Sequence, residues 1–233
     1  LHKEYRRQRQ MCIRDSHRKA LAMLHIWGRL SSINVRKVVW CAQELGLSFQ
    51  RTEAGGAFGL VNTPEYLALN PNAMVPVIEY ADGQQPYALW ESNVIVRYLC
   101  ARHAAGTLYP EDLQARFDAE RWMDWQQTTL NPAGRDAFLQ LVRTPEAQRQ
   151  PALLAASVAA TAPLLDLLDR HLARQAFLAG DAFTMADIPV ACEVHRWLAL
   201  PLQQDADRPA LMRWWQAIKA RPGALGVLDL IPT

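Results

Sequence analysis

The stretch VPVIEYADGQQPYALWESN, running from Val75 to Asn93, decides how the first half of this chain folds. Val75-Pro76-Val77-Ile78-Glu79 and Tyr87-Ala88-Leu89-Trp90 read as two strands, and Asp82-Gly83 between them is a hairpin turn signal. Glu91-Ser92-Asn93 then opens a helix that runs to about His103. Upstream, a short apolar segment at 23–27 precedes a helix over 32–45, and Ser48 to Thr52 gives a further short segment. A loop with Gly55, Gly56 and Gly59 leads to a short helix begun by Thr63-Pro64-Glu65, with proline in its first turn. The order β-α-β-α-β-β-α within ~80 residues is an α/β unit carrying one antiparallel hairpin.

The first helix is introduced by Ser31-Ser32-Ile33-Asn34. Val35, Val38, Val39 and Ala42 form one apolar face, and Gly46 stops it. Two readings of the polar cluster stand side by side. Serine and asparagine cap helices by accepting from the free N–H groups. The same N-terminus can also hold an anion.

Ala104 to Asp112, with Gly106 and Pro110, reads as a linker, and everything beyond it as helical. A break is expected at Asn131-Pro132-Ala133-Gly134. Ala152 to Leu165, with Pro163 inside it, reads as a buried helix too short to span a bilayer. In Phe183-Thr184-Met185-Ala186-Asp187-Ile188, Thr184 and Asp187 form a relative of the capping box, and Phe183 with Ile188 suits a hydrophobic staple.

A chain of 233 residues, half apolar and one-fifth charged, fits one large globular domain or two modest ones. Cys12, Cys41, Cys100 and Cys192 form no C-x-x-C pair, so the expected setting is a reducing cytoplasm. Residues 1–20 hold seven Lys or Arg against Glu4 and Asp15, while the whole chain carries only +2. A basic arm of this kind can bind nucleic acid or anionic lipid. However, Met11-Cys12-Ile13-Arg14-Asp15-Ser16 is the translation of a common transposon adapter end. Residues 1–22 are therefore expected to be a non-native extension, with Met23 the natural start. Neither nucleic acid nor membrane is expected as a partner.

Four segments taken in order resemble the cytosolic glutathione S-transferase family: GRLSSINVRKV, PEYLALNPNAMVPVI, LWESNVIVRYL and FTMADI. The resemblance implies a thioredoxin-like glutathione-binding domain over 23–104 and an all-helical domain over 113–233. It implies glutathione as co-substrate, no metal, and a homodimer that detoxifies small hydrophobic electrophiles. Val75-Pro76 matches the family's VP, whose proline is cis and which presents backbone N–H and C=O to the cysteinyl unit. Glu91-Ser92 matches the pair that holds the γ-glutamyl group, although plain capping explains the same two residues. Met74 stands where the family often has Lys or Gln. Between Gly55 and Thr63 there is no Lys or His of the kind that grips the glycyl carboxylate in some classes, so Arg51 or a backbone group is expected to serve. Asp118 matches an acid that reaches the partner subunit's glutathione in some classes, or is a solvated acid.

The chemistry needs a thiolate. A free thiol has a pKa of ~8.5, and lowering it two units takes about 2.7 kcal/mol. A helix N-terminus with one or two donors can supply that. Ser32 is the expected donor, with Ser31 and Asn34 beside it. Ser32 with Arg36 resembles the serine classes of theta and zeta type. Ser32 with Asn34 and Lys37 resembles a nu-like class that reduces disulfides. Cys41 reads as core. Arg29 and Leu30 are expected to face an electrophile pocket between the domains, with Trp122, Met123 and Gln126, beside Trp125, as the opposite wall or as core. Trp197, Trp214 and Trp215 read as packing, and Cys192-x-x-His195 is too small a set for zinc. Three functions follow: a transferase, a glutathione-dependent disulfide or peroxide reductase, and a non-catalytic binding protein on the same fold.

Overall fold

The computed structural model describes residues 22–82, 87–202 and 207–231. The proposed extension up to residue 21, Cys12 and Gly83 of the hairpin turn lie outside these residues. Strand β1 (Ala22–Trp27) runs parallel to β2 (Phe49–Thr52) and antiparallel to β3 (Val77–Asp82), which pairs antiparallel with β4 (Tyr87–Trp90). The sheet order is β2-β1-β3-β4. Helix α1 (Ile33–Glu44) makes the crossover between the parallel strands β1 and β2, α2 (Pro64–Leu69) links β2 to β3, and α3 (Ser92–His103) packs on α1.

Local signals explain these boundaries. Thr63 Oγ1 accepts from Tyr66 N and caps α2, with Pro64 in the first turn. Gly46, at φ 62°, closes α1: Leu47 N bonds Ala42 O and Gly46 N bonds Gln43 O, the paired bonds of a Schellman motif. Ser32 stands at the N-cap of α1 with extended backbone, yet its hydroxyl makes no capping bond. The capping account of Ser32 therefore describes its backbone and leaves its side chain unexplained.

The helical half contains α4 (Leu113–Trp125), α5 (Asn131–Phe138), α6 (Pro151–Leu172), α7 (Asp187–Leu198) and α8 (Pro209–Lys219). Two expectations are corrected here. The chain does not break at Asn131-Pro132. A π-helical turn at Gln126–Leu130 carries it from α4 into α5, and Pro132 falls in the first turn of α5. Helix α6 extends through Leu172 and is mostly not buried. By length and composition it could cross a membrane, but it packs against α5, and Ser157, Thr161, Leu165 and Leu168 are buried. Its alanines need no cover on the other face.

Asp187 and Thr184 do cap α7. Asp187 accepts from Thr184 N at 2.9 Å, and the Thr184 hydroxyl accepts from Ala186 N at 3.3 Å. Asp187 also accepts from Leu178 N at 3.1 Å and from Trp214 Nε1 at 2.9 Å. One hydrophobic core, from Leu24 in β1 to Leu228, runs through both halves. Cys41 lies in it, 3.6 Å from the sulfur of Cys100.

Candidate active site

Two cavities flank the N-terminus of α1. The first, enclosing about 490 Å³ partly open to solvent, lies between Asn34, the Met74-Val75-Pro76 segment and Glu91-Ser92. The Val75–Pro76 bond is cis, as the resemblance implied. Tyr66 Oη and Asn70 Nδ2 both donate to the Met74 carbonyl, at 2.7 and 2.9 Å, and fix the segment from outside. Close packing of Val35 and Val75 at the end of β1 needs a glycine: a Cβ on Gly28, at φ 145°, would stand 2.4 Å from a Val35 methyl carbon and 3.2 Å from Val75 Cβ.

Glu91 is the N-cap of α3 at φ 71°, ψ 108°, a conformation L-residues adopt at a cost of about 1–3 kcal/mol. Its side chain makes no capping bond. The first N–H groups of α3 are thus left to the cavity, with a carboxylate beside them. Ser92 Oγ donates to Asn34 Oδ1 at 3.3 Å and ties α3 to α1.

Three further residues line this cavity that sequence reasoning missed: Asn70, Asn72 and Gln127. The asparagines sat in plain view in LALNPNAM, and only their position beside the VP segment marks them. Gln127 accepts from Lys37 Nζ at 3.3 Å. Lys37 is fully buried, and burial outweighs the pull of Glu193 to bring its pKa down to about 8. It also donates to Gln126, which donates to Glu193, which pairs with Arg196 at 2.6 Å. Arg51 Nη1 donates to Gly28 O at 2.8 Å and pairs with Glu53 at 2.6 Å.

The second cavity, about 540 Å³, lies between the halves. Arg29, Ser31, Ser32 and Arg36 line one side, and Phe138, Arg143, His195 and Arg196 the other. The predicted opposite wall is thereby corrected. Trp122, Met123 and Gln126 line neither cavity. Trp122 packs between Trp125 and His171, Met123 is fully buried, and Gln126 is held in the Lys37–Glu193 network. An aromatic pair at i, i+3 marks a core face and a cleft face alike, and here it is core. Leu30 packs against the core and offers its carbonyl to Arg36 Nε at 2.7 Å. Asp118 is exposed and pairs with Arg121.

Arg36 also donates to the carbonyls of Leu230 and Ile231 and reaches His195 Nδ1 at 3.3 Å, so the C-terminal segment is tied to the mouth of the cavity. Burial, then the charges of Arg36 and Lys219, pull His195 down to about 4, so it is neutral near pH 7. Burial pushes the Cys192 thiol up to about 12, which removes it as a nucleophile.

The N- and C-terminal domain families of glutathione S-transferase match residues 31–102 and 130–222. Glutathione S-transferase GstB of Escherichia coli is 38% identical over 210 residues, covering 90% of this chain and 99% of its own. A theta-class glutathione S-transferase of Xanthomonas axonopodis pv. citri, solved with glutathione bound, superposes with a TM-score of 0.84 at 42% identity, covering 90% of this chain and 99% of that one. A glutathione transferase of Burkholderia graminis, solved with two glutathione molecules per subunit, gives 0.79 at 26% identity over 89% and 88%.

Proposed function

The chain belongs to the glutathione S-transferase family and is a glutathione transferase, and from that premise we propose how it works. Glutathione lies in the polar cavity, with its γ-glutamyl carboxylate at the α3 N-terminus and its amine beside Glu91. Val75 pairs its backbone with the cysteinyl unit. The sulfur then sits at the first turn of α1, where Ser32 donates to it and favours the thiolate. The thiol proton leaves to solvent. The sulfur lone pair attacks an electrophile seated in the second cavity.

One observation carries this reading: the first turn of α1 borders both cavities, Asn34 on the polar side and Ser31-Ser32 on the other. The uncommitted Ser32 hydroxyl fits the donor role. The direct test is conjugation of glutathione to an aryl halide by the purified chain. No acceleration over the uncatalysed rate would end the reading.

Disulfide reduction is the second reading. Asn34 at the polar cavity favours it, as does the Burkholderia relative with two glutathione molecules. Turnover of a mixed disulfide exceeding that of the aryl halide would select it. We also propose a cytoplasmic homodimer. Leu113 and Phe117, one turn apart on α4, are exposed, as are Phe58 and Val94. Such apolar groups suit a partner surface. Light scattering showing a monomer at micromolar concentration would remove the dimer.

A further inference from the structure

We propose that Gln127, from the helical half, donates its side-chain amide to the γ-glutamyl carboxylate of glutathione, and that the buried Lys37 holds it in that role. This deepens the transferase reading and rests on the place that reading gives glutathione. Among the described residues that line the polar cavity, Gln127 alone comes from the helical half. It follows Gln126 in the π-helical turn that carries α4 into α5, a geometry common at functional sites. Asn93, in the first turn of α3, donates to Met123 O at 2.8 Å and to Gln126 Oε1 at 3.3 Å. These bonds hold the π turn against the start of α3, which is where the γ-glutamyl carboxylate is placed.

The direction of the Gln127 amide is fixed by chemistry. An ammonium group only donates, so the Gln127 atom 3.3 Å from Lys37 Nζ is the carbonyl oxygen. The Nε2 group, with its two N–H donors, has no acceptor among the described residues. The oxygen is thus turned toward a buried partner, and donors are left for an anion. The same rule orders Gln126, whose oxygen accepts from Lys37 at 2.8 Å and whose Nε2 donates to Glu193 at 3.0 Å. Lys37, itself fully buried, therefore sets two adjacent glutamines, one toward the core network and one toward the cavity.

A carboxylate has two oxygens and about four lone-pair sites, more than Ser92 and the α3 N–H groups need to fill. Gln127 takes one of the remaining sites. Glutathione then bridges the two halves of its own chain, with its γ-glutamyl end gripped from both.

Three thiols test this by calorimetric titration: glutathione, γ-aminobutyryl-cysteinylglycine, which lacks only the γ-glutamyl carboxylate, and glutaryl-cysteinylglycine, which lacks only the amine. Gln127→Ala should weaken glutathione and the glutaryl thiol by about tenfold or more, since a bond to a charged group is lost, and leave the γ-aminobutyryl thiol within about twofold of the parent. In turnover the loss should fall on KM for glutathione, with kcat within about twofold, because the bond is made before and during the reaction alike. Lys37→Met keeps the bulk and frees the amide to turn. It should weaken glutathione by about three- to tenfold and spare the γ-aminobutyryl thiol. The double variant should lose little beyond Gln127→Ala alone. Unfolded protein lowers the titration stoichiometry and not the dissociation constant, so Lys37→Met is read even where it destabilises. Equal losses for all three thiols in Gln127→Ala, or no loss for glutathione, overturn the assignment. Losses that add in full in the double variant overturn the positioning role of Lys37. A parent chain that does not bind glutathione removes the placement itself, whereas one that shows these binding differences and fails to conjugate refutes the transferase reading and upholds the carboxylate contact.

Discussion

Ser92 Oγ donates to Asn34 Oδ1 at 3.3 Å, so the N-termini of α3 and α1 are joined across the polar cavity. Asn34→Ala and Ser92→Ala should each weaken glutathione binding by about three- to tenfold. The double variant should lose less than the sum of the two, with a coupling of about 0.5–1.5 kcal/mol. Calorimetric titration of the four proteins measures it. Strict additivity would mean that the two side chains act separately.

Ser32→Ala should lower turnover by roughly ten- to a thousandfold, the worth of one charge-directed donor of about 1.5–3 kcal/mol or somewhat more in a closed site. Because the hydroxyl makes no capping bond, melting should change little. Ser31→Ala should do less. Asn34→Ala should slow disulfide reduction more than conjugation if the second reading holds. Thiolate absorbance of bound glutathione against pH is the measurement. An unchanged thiol pKa in the Ser32 variant would leave the chemistry to Ser31, Asn34 or the helix N–H groups.

Glu91 holds φ at 71° without a capping bond in return. Glycine relaxes that strain, so Glu91→Gly should raise stability by up to about 1 kcal/mol while weakening glutathione binding. Glu91→Gln keeps the strain and should lose affinity alone. A glycine variant that binds glutathione as well as the parent would show that the carboxylate has no part in binding.

His195 gives a pH signature. Its folded pKa of about 4 lies below the unfolded value of about 6.5, so the unfolded chain binds more protons between them. Its contribution is fully present above about pH 6.5 and is lost as pH falls toward 4. Asp187 acts in the opposite sense. Burial raises it to about 6, so its contribution is present below about pH 4 and is lost as pH rises through 6. Between pH 4 and 6 the two offset each other. In His195→Gln the Asp187 slope should emerge, with stability falling as pH rises. Urea unfolding of both proteins from pH 4 to 7 tests this, and a pH-independent difference between them would contradict it.

Much of the polar cavity was legible because it is local. The cis Val75–Pro76 segment, the Glu91-Ser92 helix start and the Gly46 stop are each written in consecutive residues. The second cavity was not, since Phe138, Arg143, His195 and Arg196 reach Arg29 only through the packing of α7 on α1 and of α5 on α7. Trp122 and Met123 carried the same periodicity as a cleft wall and went into the core. At Ser32 the pattern forecast a cap, and the backbone complied while the hydroxyl did not. At Pro132 the forecast failed because a π-helical turn absorbs the proline.

The buried chain Lys37–Gln126–Glu193–Arg196 begins in the first domain and ends in the second. Separating the halves would strand the Lys37 and Glu193 charges in an opened, half-wet surface and cut a core that both share. Neither half should therefore melt alone. Scanning calorimetry should record one endotherm whose van't Hoff enthalpy matches its calorimetric enthalpy per cooperative unit. Lys37→Met, which keeps the bulk and removes the charge, should leave that transition single, whereas Glu193→Ala should lower and broaden it.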